Sequence, residues 1–247
     1  LTSIDLGYFL RTREGDFKDV FCDSIDSEKI QFQTGEIGID WTYATMHFVC
    51  QSILKSIYDQ NRDRLSLLDV GSQFSFISFA SSFFDVVMLE PRSQRASLVI
   101  DGICSLQGVP GEAQSLPFKG STFNVVTSLH AIEHFGLGRY GDKLDYFGDQ
   151  KGIKEFSRVL SPGGILITAV PAASRSSIEF NGQRRYNPKD FEEVVSRTGL
   201  VKMHSVISYV AGSRTDGIVV GEETTINDYP SHYTPPVLIS VYQKSLE

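Results

Sequence analysis

The chain has 247 residues, enough to bury a full core, and its 41% hydrophobic and 21% charged content is that of an ordinary globular protein. Thirty acidic against 23 basic residues give a net charge of −7 without any long basic run, which argues against nucleic acid as a partner. No apolar stretch reaches the roughly 18–20 residues that cross a bilayer, and Cys22, Cys50 and Cys104 form neither a disulfide framework nor a zinc knuckle, so a reducing, cytoplasmic setting is expected.

Residues 1–39 show no sustained period and read as an irregular or partly helical arm. Asp40 is placed to cap a helix over 41–61, with Trp41, Ala44, Phe48, Ile53, Ile57 and Tyr58 as its apolar face; residues 1–61 are thus expected to be an arm and a cover helix. A single compact unit is expected over 62–247. Leu65–Val70 reads as the first buried strand, closing on Asp69-Val70-Gly71-Ser72-Gln73. A helix over 74–84 follows, poor in intrinsic propensity, and Val86–Leu89 is a second strand that ends on Glu90. Ser97–Ile100 is a weaker strand candidate, and Gly108-Val109-Pro110-Gly111 carries turn chemistry around a short third strand.

Val125–Leu129 is short, β-branched and apolar, as a strand buried on both faces would be, and polar residues begin abruptly at His130. A helix starting near Ala131 would bring Glu133 and His134 close to His130 on one side of its first turn. Residues 143–160 read as a helix stopped by Pro162-Gly163-Gly164, Ile165–Val170 as a fifth strand, and 188–198 as a helix with Pro early and Gly199 just past its end. Val201–Val210 and Val237–Gln243 are two further strands, separated by a polar segment too long for a plain hairpin loop. Alternating β and α elements ending in a strand pair predict a doubly wound α/β sheet.

In such sheets, ligands bind at the carboxyl ends of the strands, which places Ser128, His130, Glu133 and His134 at the rim of a cleft. Asp69 and Gly71 put a carboxylate and a tight backbone turn at another strand end. The Gly-x-Gly-x-x-Gly expected for a dinucleotide pyrophosphate is absent, since Ser72 and Gln73 follow Gly71, and NAD is not indicated. Glu90, one strand later, is placed to accept hydrogen bonds from two ribose hydroxyls, while Glu112 and Ala113 offer a side-chain acceptor and a backbone donor to an adenine edge.

Five stretches, Leu67–Gly71, Val87–Glu90, Gly111–Phe118, Phe123–Ser128 and Arg158–Leu166, resemble in order the motifs of the Rossmann-like, class I S-adenosylmethionine-dependent methyltransferases, over roughly residues 62–243. The resemblance implies a mostly parallel seven-stranded sheet with an antiparallel last strand, S-adenosylmethionine as cofactor, Glu90 on its ribose and the Glu112–Ala113 region near its adenine. It places Gly71-Ser72-Gln73 where that family carries Gly-x-Gly. His130–Asp142 further resembles a methyltransferase-like subfamily of bacterial surface-glycan loci, which implies polysaccharide biosynthesis.

Three readings of His130, Glu133 and His134 stand side by side. The spacing fits the inverted zinc-protease pattern, which requires a full helix under the motif. The three could ligate a divalent metal that holds acceptor oxygens, as a similar Glu-x-x-Glu-His does in some O-methyltransferases; a His in the first position favours a transition metal over Mg²⁺. Or His130 or His134 is a general base without a metal. The expected activity is methyl transfer to an oxygen acceptor, a sugar or glycan hydroxyl, held by Arg184, Arg185 and Tyr186. The alternative is a catalytically silent relative that binds a nucleotide-like ligand and acts with a glycan-assembly partner.

Overall fold

A computed structural model describes residues 41–61, 63–90, 106–179, 182–210, 218–221 and 235–246. The elements run α1 (Trp41–Asn61), β1 (Ser66–Val70), α2 (Phe74–Ser81), β2 (Asp85–Glu90), β3 (Leu106–Pro110) and β4 (Phe123–Leu129). They continue with a single 3₁₀ turn (Ile132–His134), α3 (Gly148–Val159), β5 (Leu160–Pro171), β6 (Ser177–Glu179), β7 (Gln183–Arg185), α4 (Pro188–Ser196), β8 (Leu200–Val210), β9 (Ile218–Gly221) and β10 (Val237–Lys244). The main sheet has the order β3-β2-β1-β4-β5-β10-β8-β9, and β6 pairs with β7 in a separate hairpin. Strands β1 to β5 are parallel, and β10 is antiparallel to both β5 and β8. The doubly wound sheet with an antiparallel last strand is therefore present. Short β9 adds an eighth strand at the β8 edge, from within the long polar segment. Asp40, Ser97–Ile100 and residues 1–39 lie outside the described residues.

Successive residues of each central strand point to opposite faces, and both faces are covered, which is why the strands read as continuous apolar runs. Leu67, Val125, Ile165 and Ile167 join α1 and α2 in one core cluster. Leu68, Val126, Leu166 and Val170 join α3 and α4 in the other. The buried stripe of α1 is Met46, Val49, Cys50, Ile53, Leu54 and Ile57, so Ile53 and Ile57 lie on the expected face, whereas Phe48, 37% exposed, does not. Asn187 caps α4 by accepting from the Lys189 N–H at 3.0 Å, with Pro188 in the first turn. Helix α3 is shorter than expected, and Pro162-Gly163-Gly164 lies inside β5, next to a register shift in its pairing with β4.

The strand order reverses between β1 and β4, with β2 and β3 to one side and β5 to the other. In open α/β sheets such a reversal marks the crevice where ligands bind, and the strand-end residues singled out above emerge along this carboxyl edge.

Candidate functional site

The turn after β1 is built by Asp69. Its carboxylate is fully buried, accepts from the Ser72 N–H at 3.0 Å, and accepts from the Thr127 hydroxyl of β4 at 2.6 Å. Burial pushes its pKa up to about 6, against the hydrogen bonds from Ser72 and Thr127 that pull it down. Asp69 thus holds the turn from inside. Gly71 carries φ +83°, and a Cβ there would stand 2.7 Å from the Ala131 Cβ, so the turn needs glycine both for its backbone and for its contact with the β4 exit. The Ser72 hydroxyl accepts from the Leu129 N–H at 3.3 Å, and the Ser128 hydroxyl donates to the Val70 carbonyl at 3.0 Å. Ser72 and Ser128 therefore lace β1 to β4. Gln73 opens α2 in extended conformation without a side-chain cap, leaving the first turn of that helix at the crevice.

Glu90 closes β2 opposite Pro110 of β3. Beyond β3, Glu112 is exposed and its carbonyl accepts from the Ser115 N–H at 3.1 Å, while Ala113 is buried behind it. The ends of β1, β2 and β3 thus present Gly71–Gln73, Glu90 and Glu112–Ala113 in sequence along the same edge.

At the end of β4, His130 holds φ +53°, a left-handed backbone uncommon for a side chain of this size. The expected helix from Ala131 is replaced by the single 3₁₀ turn 132–134, so the full helix of the protease pattern is missing. Glu133 is buried, and its Oε1 lies 2.9 Å from His130 Nδ1 and 3.8 Å from His134 Nε2. A carboxylate only accepts, so His130 donates through Nδ1, and in the neutral ring this tautomer leaves the lone pair on Nε2. His134 donates through Nδ1 to the Gly182 carbonyl at 2.6 Å, at the tip of the β6–β7 hairpin. Both His130 Nε2 and Glu133 Oε2 are buried without a hydrogen-bond partner among the described residues. Within those residues no group of three or more His, Cys, Asp or Glu is placed to hold one metal ion.

The loop after His134 is rigid by construction. Asp142 accepts from the Gly136 N–H at 2.7 Å and from the Tyr140 N–H at 3.3 Å. Gly136 has φ +75°, and a Cβ there would meet the Asp145 carbonyl at 2.1 Å. Arg184, inward-facing on β7, donates to the Phe135 carbonyl at 2.7 Å and the Tyr146 carbonyl at 2.8 Å, and its Nε sits 3.4 Å from buried Asp149. The Tyr186 hydroxyl donates to Asp149 at 3.0 Å; burial first, then the Asp149 charge, holds that phenol well above its usual pKa. Arg185, on the opposite face of β7, pairs with Glu179 at 2.7 Å. The residues expected to hold an acceptor are instead engaged within the protein: Arg184 and Tyr186 brace the loop, and Arg185 braces the hairpin.

Helix α1 contributes residues that the sequence reading passed over. The Tyr43 ring lies tilted on the His130 ring with centroids 4.7 Å apart, and His47, one turn on, packs against Phe76 of α2 at 5.7 Å. His47 Nε2 is also buried without a partner among the described residues. Burial, and secondarily the charge of His130, lowers the His47 pKa and so favours its neutral imidazole. Tyr43 and His47 at i and i+4 were the available signal.

The chain was compared with known proteins. A family described as "Caenorhabditis protein of unknown function, DUF268" matches residues 111–204, the span from the end of β3 into β8. No curated protein sequence matches. Solved structures share the fold. Burkholderia thailandensis 1,6-didemethyltoxoflavin-N1-methyltransferase, solved with bound 1,6-didemethyltoxoflavin and S-adenosylhomocysteine, is 12% identical with a TM-score of 0.57, over 99% of this chain and 92% of that one. The cyclase SpnF is 14% identical with a TM-score of 0.59, over 81% and 83%. An S-adenosylmethionine-dependent methyltransferase of Methanosarcina mazei is 15% identical with a TM-score of 0.51, over 77% and 97%. At these identities the likeness is one of fold: the class I methyltransferase-like Rossmann architecture.

Proposed function

We propose that the chain is an S-adenosylmethionine-dependent methyltransferase that passes a methyl group to an oxygen, with a sugar or glycan hydroxyl as acceptor. The observation that carries the reading is the crevice between β1 and β4, along which Gly71–Gln73, Glu90, Glu112–Ala113 and His130–Glu133 emerge together. The residues fit the cofactor. Gly71 leaves the backbone room for close approach, the first turn of α2 offers N–H groups toward a carboxylate, Glu90 suits two ribose hydroxyls, and Glu112–Ala113 flank the place of an adenine. The replaced glycine motif does not prevent the turn, because Asp69 fixes Ser72 in its place. When bound, the cofactor supplies an electrophilic methyl on a sulfonium.

The chain's own contribution is to position the acceptor and to take its proton. His130 Nε2 is the base, and Glu133, bonded to Nδ1, sets the tautomer and orients the ring. Most of the acceleration would come from holding two reactants in line. A second reading, a ligand-binding protein without methyl transfer, draws support from SpnF, a cyclase on the same architecture. Incubation with S-adenosylmethionine tritiated in the methyl, over nucleotide sugars and glycans, separates the readings. Label should enter an acceptor, persist in EDTA and vanish in His130→Ala. Cofactor binding with no labelled acceptor would favour the second reading, and full activity in both His130→Ala and His134→Ala would remove the cluster from catalysis.

A further inference from the structure

Three buried polar atoms have no partner among the described residues in one corner of the molecule: His130 Nε2, Glu133 Oε2 and His47 Nε2. They come from two sides, the β4 exit and α1, and the Tyr43 ring joins the two by lying on His130 at 4.7 Å and near His47 at 6.3 Å. Leaving a buried polar atom unpaired is costly, so such a cluster is maintained where a ligand completes it. The chemistry of the atoms defines the complement. Glu133 Oε2 and His130 Nε2 are acceptors in the tautomer that the Nδ1 bond enforces, and His47 is held toward its neutral form. The Tyr43 ring lies on His130, and the fully buried Phe76 backs His47. The buried Glu133 carboxylate among them disfavours an anionic group.

We infer that α1 is half of the acceptor site, and that His47 and His130 together hydrogen-bond hydroxyls of one uncharged polyol, whose ring packs on Tyr43. The inference deepens the methyl-transfer reading and rests on it for the identity of the reacting hydroxyl. His130 takes the proton of that hydroxyl, and His47 holds a neighbouring one, which fixes which oxygen faces the base.

The test follows the Cε1–H resonances of His47 and His130 by NMR in the full chain, loaded with S-adenosylhomocysteine, during titration with methyl α-D-glucopyranoside. Both resonances should move along one saturation curve, and cyclohexanol, ethanolamine and inorganic phosphate should move neither. Losing one neutral hydrogen bond should weaken the glycoside about five- to tenfold in His47→Ala, and His47→Gln, which keeps an amide near the Nε2 position, should recover most of the loss. The inference is overturned if the glycoside leaves His47 unmoved, if ethanolamine or phosphate moves the pair instead, or if folded His47→Ala binds as tightly as the parent. Calorimetry with S-adenosylhomocysteine keeps the two failures apart. A polyol response without cofactor binding would sink the methyltransferase reading and uphold the polyol site, whereas cofactor binding without a polyol response would sink the polyol site alone.

Discussion

Two polar clusters are buried a few residues apart on either side of one loop, and they are built to opposite specifications. In the cluster of Arg184, Asp149 and Tyr186, the guanidinium grips two carbonyls and faces a carboxylate that also accepts from a phenol. In the cluster of His130 and Glu133, one hydrogen bond is made, and an imidazole nitrogen and a carboxylate oxygen are left open. A closed network stabilises a conformation, while an open one retains capacity for something else. The closed cluster therefore serves as the frame and the open one as the site. On this division Arg184, outwardly the better ligand-binding residue, is committed to the frame.

The comparison breaks most visibly in activity. His130→Ala should lower kcat on the order of 10²–10⁴-fold while S-adenosylhomocysteine affinity stays intact, as for loss of a general base, and Glu133→Gln should lower kcat with KM little changed. A fall in KM-defined affinity with unchanged kcat would make His130 a binding group only. Arg184→Ala tests the other side. Removing it strands the Asp149 carboxylate in the interior and should cost about 3–5 kcal/mol in urea unfolding, whereas His130→Ala should leave stability within about 1 kcal/mol. Comparable losses for the two would erase the distinction between frame and site.

Asp69 sharpens the contrast, since it is a closed carboxylate that burial nevertheless makes harder to ionise. With a folded pKa near 6 against an ordinary carboxyl value near 4, its protonated form favours the folded state. That stabilising contribution is complete below about pH 4 and is lost as pH rises through about 6. Asp69→Asn lacks the titration, so between pH 4 and 7 its stability should gain about 2–3 kcal/mol relative to the parent. Parallel pH profiles would mean that Asp69 titrates normally. The smallest expected effect is that of a reducing agent: Cys50 is buried and free, and the melting temperature should not move.

Much of the frame was legible beforehand because parallel strands covered on both faces leave runs such as Val125–Leu129, and because Gly71 marks a turn that only glycine can make. The open cluster was legible as neighbouring residues, since Glu133 does lie beside His130 and His134, and not as the turn that carries them. Ile132–His134 has helical spacing, yet Gly136 and Gly138, both at positive φ, end the turn after three residues and fold the chain back on Asp142 and Asp145. Arg184 and Arg185 looked equivalent in sequence, and the two-residue alternation of β7 sends one into the interior and the other to Glu179. His47 was missed because the apolar face of α1 was read through Ala44 and Phe48, whereas the buried stripe follows the three-and-four spacing from Met46 to Ile57.

The central claim is that the β1–β4 crevice binds the adenosyl cofactor, and isothermal titration with S-adenosylhomocysteine addresses it without knowledge of any acceptor. One site per chain is expected, and Glu90→Ala should weaken it at least about tenfold, since a carboxylate on two hydroxyls makes charge-assisted bonds of roughly 1.5–3 kcal/mol. Absence of heat in the folded parent, or an unchanged affinity in folded Glu90→Ala, would contradict the account.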